Sequence, residues 1–289
     1  VLSSGKTEKK MSKRKVWLIT GVSSGFGRQL VMKAAQAGHI VIGTVRKSEQ
    51  VKEVDAISPG STYGAVLDVN DHAAGLALVE RINKEHGGLD VLVNNAGYGL
   101  FGAVEEANMV EVRAQMETNF FAALALTQAA LPVMRKRRSG HIIQISSQAG
   151  FSSTPGMGIY NASKHALEGF SEALYGEVAP LGIHVTLVEP GPFRTLWAGP
   201  SMHYAATRIA DYAPTTDGIR ARFESRDPWQ PGDPERAAQA IVQMTESATP
   251  PLRLPMGAIA VGTLRKKLER VAADVDAWES VAKGVDFPK

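Results

Sequence analysis

Short apolar runs alternate with stretches of helical periodicity along most of the 289 residues, and that alternation limits the folds open to the chain. The first run, residues 16–20 (VWLIT), is followed by Leu30, Val31, Ala34 and Ala35 at helical spacing and by a stop at Gly38. Similar runs stand at 39–45 (HIVIGTV), 63–69 (YGAVLDV), 90–95 (DVLVNN), 141–146 (HIIQIS) and 183–189 (IHVTLVE). Helical patterns cover 71–86 and 109–138, and another opens near Tyr160. Strands this apolar are covered on both faces. Their alternation with helices predicts one α/β domain over residues 15–289, built on a doubly wound parallel sheet with right-handed crossovers. A helix begins at Asp233-Pro234, residues 252–261 read as a seventh strand, and 263–282 as a surface helix. Residues 191–234, rich in Pro, Gly, Tyr, Trp and Met, lack periodicity and read as a substrate lid inserted in that domain.

Composition excludes several classes of function. No apolar stretch approaches the ~20 residues of a membrane span, and the chain has no cysteine for disulfides or thiolate chemistry. The seven histidines form no ligand pair or cluster, so no metal site is expected. The net charge of +3 is partly an end effect. Residues 1–14 read as a basic, solvated tail, and Met11 as an internal start that makes 1–10 an extension. A second basic run, Arg135 to Arg138, closes the long helix before Ser139-Gly140, where positive charge is favourable without any nucleic acid. A cytoplasmic enzyme is compatible with these readings, and no membrane or nucleic-acid partner is expected.

In sheets of this type ligands bind beyond the carboxyl ends of the strands. Those ends carry Gly21, Gly25 and Gly27 after strand one, Asp68-Val69 after strand three, and Asn95-Ala96-Gly97 after strand four. Ser146-Ser147 follows strand five, and Pro190-Gly191 strand six. A glycine turn opening a helix lets backbone N–H groups approach an anion. Tyr160 and Lys164 stand four apart, on one helix face. An ammonium beside a phenol stabilises phenolate and lowers its pKa, so the pair suits proton transfer.

Taken together, "TGVSSGFG", "LDV", "NNAG", "TNFFAAL", "ISS", "YNASK" and "PGPFRT" resemble the short-chain dehydrogenase/reductase family, in its non-extended branch, over residues 15 to about 195. The resemblance implies a Rossmann-type sheet of about seven strands and hydride exchange between a nicotinamide and a ketone, aldehyde or alcohol. It implies Tyr160 as proton donor, with Lys164 lowering its pKa and holding the nicotinamide ribose. Ser147 would orient the carbonyl, and Asn119 would support a proton-relay water. Gly21, Gly25 and Gly27 would admit Ser23, Ser24 and Phe26 to the pyrophosphate and adenosine ribose. Asp68 and Val69 would touch adenine, Asn95 the adjoining ribose, and Thr195 the nicotinamide amide or a phosphate. The family also implies a homodimer or homotetramer, paired through the helices that hold residues 120–134 and 160–174.

The chain departs from an NAD pattern after strand two, where an acidic residue usually holds the ribose 2′-OH. Thr44-Val45 stands there, followed by Arg46 and Lys47, and a guanidinium grips a 2′-phosphate as a fork. NADP(H) is therefore expected over NAD(H), with Arg46 as the selecting residue. Tyr98, Phe101, Phe151, Met157, Phe193, Trp197, Met202 and Tyr204 fall on loops facing the cleft, which points to an apolar carbonyl or alcohol unless they serve to pack the lid. Arg194, Arg208, Arg220 and Arg222 leave an acidic carrier open. The alternative from another class is a catalytically silent NADP(H) sensor or scaffold, which has no need of Ser147, Tyr160 and Lys164 together.

Overall fold

The computed structural model describes residues 14–225 and 229–287; the basic tail expected over residues 1–14 lies outside the described residues except for Arg14. In chain order the elements are β1 (Val16–Ile19), α1 (Gly25–Gln36), β2 (Ile40–Val45), α2 (Val51–Asp55), β3 (Thr62–Val66) and α3 (His72–His86). They continue with β4 (Val91–Asn94), β5 (Gly99–Phe101), α4 (Met109–Met116), α5 (Ala122–Arg137), β6 (Gly140–Ile145) and α6 (Gly158–Val178). The last are β7 (Ile183–Pro190), β8 (Met202–Tyr204), α7 (Ala213–Glu224), α8 (Pro234–Met244), β9 (Arg253–Met256) and α9 (Ala258–Lys283).

Seven strands form one parallel sheet in the order β3-β2-β1-β4-β6-β7-β9. Side chains alternate across it as a strand period of two requires. Leu18, Ile42, Leu92, Ile142 and Val185 face α3, α5 and α6 through Val79, Ile82, Leu126, Ala130, Met134 and Leu174. Trp17, Ile19, Val41, Val93 and Ile143 face the opposite layer, where Leu30, Val31 and Ala34 of α1 meet Ala238 and Ile241 of α8. Burying such a side chain contributes about 1.5–3 kcal/mol, so both helical layers are held by apolar contact. Successive strands run outward from β1 through β2 to β3, then return to β4 on its other side. The loops after β1 and β4 therefore diverge and open a crevice at the switch point.

Several boundaries differ from the sequence reading. The long helix of residues 109–138 is interrupted by a π-helical turn, Glu117–Phe121, which sets Asn119 inside the molecule. The seventh strand stops at Met256, because Gly257 (φ 88°) turns the chain and α9 starts at once. The lid, expected to be irregular, contains β8 and α7, and β8 pairs in parallel with β5. Its short strand had no period-two signal strong enough to show through the aromatic residues around it.

Candidate active site

The first crevice opens at the end of β1. Gly21 (φ 67°) and Gly25 (φ 56°) adopt left-handed backbone that side-chain-bearing residues rarely take. A Cβ on Gly21 would stand 3.0 Å from Ala96 Cα, so the turn needs glycine for space as well. Ser24 caps α1 without a side-chain bond, leaving the first-turn N–H groups for another acceptor. Around them Ser23, Ser24, Phe26, Thr44, Val45, Arg46, Lys47, Asp68, Val69, Asn95 and Thr195 line a cavity of about 780 Å³. The cradle, its glycines and its uncapped helix end fit a dinucleotide, with the pyrophosphate at the start of α1. Arg46 and Lys47 are exposed on its rim and form no ion pair among the described residues.

Gly27 lies outside that lining. Its absent Cβ would fall 2.5 Å from the Gly21 carbonyl oxygen and 2.6 Å from Asn95 Nδ2, so it brings helix and strand together rather than touching a ligand. Asn95 is both wall and brace, since its Nδ2 donates to the carbonyls of Thr20 (2.8 Å) and Gly21 (3.0 Å). Thr44, standing near the position of the usual acid, accepts from the Gly21 N–H at 3.2 Å.

A second cavity, about 690 Å³, adjoins the first and shares Asn95, Gly97, Tyr98, Thr195 and Trp197 with it. Ser147, Tyr160 and Lys164 line it. Ser147 follows β6, accepts the Ala149 N–H at 3.1 Å and hydrogen-bonds the Tyr160 phenol. Lys164 Nζ lies 5.9 Å from the Tyr160 ring centroid and donates to the Ile145 carbonyl at 2.8 Å. The expected lowering of the phenol pKa by Lys164 is not met in this arrangement. Burial pushes Tyr160 up to about 12, and only the Ser147 hydrogen bond opposes it. Burial also pulls Lys164 down to about 8 against the field of Glu168. Desolvation outweighs the pair's attraction here because both groups sit in the protein interior.

Asn119 is held at 2% exposure by the π-helical turn. Its Oδ1 accepts the Tyr98 N–H at 3.1 Å, while its Nδ2 donates to the Tyr98 carbonyl (3.0 Å) and to Ser163 Oγ (3.1 Å). Asn119 and Lys164 converge on Gly97, whose absent Cβ would lie 3.1 Å from Asn119 Oδ1 and 3.7 Å from Lys164 Nζ. Thr195 caps a short turn by accepting the Trp197 N–H at 3.3 Å.

Comparison with known proteins decides the family. Residues 15–203 match the short chain dehydrogenase family. The chain is 40% identical over 243 residues to 3-ketodihydrosphingosine reductase of Bacteroides thetaiotaomicron, covering 83% of this chain and 87% of that one. A crystal structure of a short-chain dehydrogenase from Streptomyces avermitilis superposes with a TM-score of 0.89 at 40% identity, over 95% of this chain and 99% of the other. ElxO with NADP bound superposes at 0.72 and 25% identity, over 86% and 100%. This chain belongs to the short-chain dehydrogenase family. It is an NAD(P)-dependent oxidoreductase acting on CH–OH and C=O groups.

In this dehydrogenase the loop aromatics divide. Tyr98, Met157, Phe193 and Trp197 line the second cavity, joined by Ile219 and Phe223 of α7 and by Trp229. Phe101 and Met202 are buried in one cluster with Met157 and Tyr160, and Tyr204 packs against it, but none of Phe101, Met202 and Tyr204 lines the cavity, so these three pack the lid from behind. Phe151 lies against the Arg253 guanidinium, 5.2 Å from its ring centroid. The arginines divide too. Arg208 pairs with Asp217 at 2.7 Å, Arg220 sits between the Phe101 and Tyr204 rings, and Arg194 donates to the Gln230 carbonyl. Only Arg222 of the four lines the cavity.

Behind Ser147, Tyr160 and Lys164 lie buried charges that no sequence motif marks. Ser146 donates to Glu168, one turn beyond Lys164 on α6. Arg253 of β9 bonds Glu168, Glu189 (2.6 Å) and Glu172 (3.0 Å). Glu189 is fully buried, and burial together with the charge of Glu168 pushes its pKa up to about 7. These residues come from separate elements with no shared motif, so no spacing could have announced them.

Proposed function

We propose that this enzyme is an NADPH-dependent reductase of apolar ketones or aldehydes in which Tyr160 donates the proton. The observation that carries the reading is the Ser147–Tyr160–Lys164 cluster in the wall of a largely apolar cavity that joins the glycine-lined cleft. The glycine-lined cleft would hold a nicotinamide dinucleotide, which when bound would supply hydride for the carbonyl carbon. Ser147 Oγ orients the carbonyl oxygen, and Tyr160, kept protonated by burial, gives it a proton. Lys164, beside the phenol on the same helix face, holds the nicotinamide ribose, and Asn119 supports the relay that returns a proton. A silent sensor would have no use for this buried cluster.

Residues 191–234 act in this reading as a lid whose closure excludes water from the hydride path. The enzyme works in the cytoplasm as a homodimer or homotetramer joined through α5 and α6. Half-buried Leu124 and exposed Phe121 support that pairing. Among the described residues no helix is long and apolar enough to cross a membrane.

The test follows NADPH consumption against a panel of ketones and aldehydes that begins with 3-ketodihydrosphingosine, the compound for which one relative is named. Tyr160→Phe should lower kcat by about 10²–10⁴-fold while NADPH still binds. Near-normal turnover in that variant, or no reduction across the panel by wild type, would overturn the reading.

A further inference from the structure

The end of α9 is a helix without a partner. Its first turns are anchored, with Ala260 and Leu264 buried, but every described residue from Leu268 to Phe287 is exposed. At about 1.5 Å per residue, the exposed helical part is about 24 Å long. An isolated helix of this length is marginal in water, and most helix stability comes from packing an apolar face.

That face exists. Leu264, Leu268, Val271, Val275, Trp278 and Ala282 recur at steps of four, three, four, three and four. This is a narrow seam of period 3.5, the spacing that keeps one helix against another, rather than the broader stripe of a helix lying on a globular core. Leu268 is 57% and Trp278 66% exposed, so the seam is open to a partner.

The charges identify the occupant. Arg265, Lys266, Lys267 and Arg270 outnumber Glu269 in the first half of the seam, and Asp274, Asp276 and Glu279 fill the second, ahead of Lys283. A free helix favours the reverse order, with anions near its N-terminus and cations near its C-terminus. The segregation therefore does not serve the helix alone, and among the described residues the only ion pair within α9 is Glu279–Lys283. A second copy laid antiparallel brings each basic half against the other's acidic half and matches both seams. A parallel copy would set like charges together, and an anionic lipid surface would be repelled by the acidic half.

We propose that α9 is a homotypic interface, in which two copies of this chain pair their C-terminal helices antiparallel along the exposed Leu268–Trp278 part of the seam. The contact is separate from the α5 and α6 faces. In a molecule using both, it would turn a dimer into a tetramer.

The test is the mass of the full chain in solution. Val271→Glu combined with Val275→Glu changes exposed positions that leave the core intact, and should weaken the association by about 100-fold and halve the mass. Carbonyl reduction per active site should be unchanged, since neither residue lines the cavities. A chain with Lys266→Glu, Lys267→Glu and Arg270→Glu, and another with Asp274→Lys, Asp276→Lys and Glu279→Lys, should each show the lower mass alone and regain the higher when mixed. An unchanged mass in the Val271/Val275 variant, or no gain on mixing, would overturn the interface. Because the chain has no native cysteine, a disulfide-linked dimer formed by Ala282→Cys would overturn the antiparallel orientation. Wild type that stays monomeric and sediments with phosphatidylserine vesicles would make the occupant a membrane instead.

Discussion

Arg46 is a single exposed side chain whose meaning depends on what stands beside it. An acid at the end of β2 would repel a 2′-phosphate. This chain has Thr44, whose hydroxyl is already engaged by the Gly21 N–H at 3.2 Å, and Val45, which offers no charge. Arg46 lines the dinucleotide cleft without an anionic partner among the described residues, so it can meet a phosphate without first breaking an ion pair. A charge-assisted hydrogen bond contributes about 1.5–3 kcal/mol, which corresponds to roughly ten- to hundredfold in kcat/KM. Arg46→Ala should lower kcat/KM for NADPH by that factor and leave NADH nearly unchanged. Lys47, on the same rim, will hold part of the preference. Equal loss with both cofactors would remove Arg46 from that role.

The glycine turn acts as one element with α1. Its glycines differ in what they do: Gly21 and Gly25 satisfy backbone conformation, while Gly27 satisfies distance. An added methyl at Gly27 must displace the Gly21 carbonyl or the Asn95 amide, and both belong to the turn that shapes the cleft. Overpacking of this kind costs about 1–3 kcal/mol. Gly27→Ala should therefore lower both the melting temperature and the affinity for dinucleotide. Gly169 in α6 provides the control, because a Cβ there meets nothing within 4 Å. Gly169→Ala should stabilise the fold by the ~0.5–1 kcal/mol that alanine gains over glycine in a helix, and so raise the melting temperature slightly, without touching cofactor affinity. If both variants behave alike, the close approach of α1 to the strand is not what Gly27 provides.

At the scale of the whole molecule the question is which faces remain for other copies. On α5 the apolar residues run past the core-facing stripe of Leu126, Ala130 and Met134, and Phe121 just before it is 43% exposed. Phe121 packs against Phe120, which also meets Phe170 of α6, so the two helices share an aromatic edge. If that edge is the two-fold contact, Phe121→Asp should lower the mass seen by light scattering at micromolar concentration and leave the melting transition of the monomer cooperative. A mass equal to that of wild type would exclude this face.

Alternation of apolar runs and helical patterns was enough to determine the parallel sheet, because strands covered on both faces can carry few polar residues. Motif order was enough to place Tyr160, Lys164, Ser147 and the glycine turn at one end of that sheet, since each lies within a few residues of a strand end or on one helix face. Tertiary structure alone decided the rest. It set the Tyr160 phenol in the interior, where burial raises its pKa, because desolvation depends on every atom around a group and not only on its partner four residues away. It separated the aromatics that line the cavity from those that pack the lid, which share composition and differ only in direction. It also brought Glu168, Glu189 and Arg253 together from three elements, a meeting that depends on strand order rather than spacing. Local sequence encodes what a segment becomes; which side chains then share a dielectric is set by the packing of segments far apart in the chain.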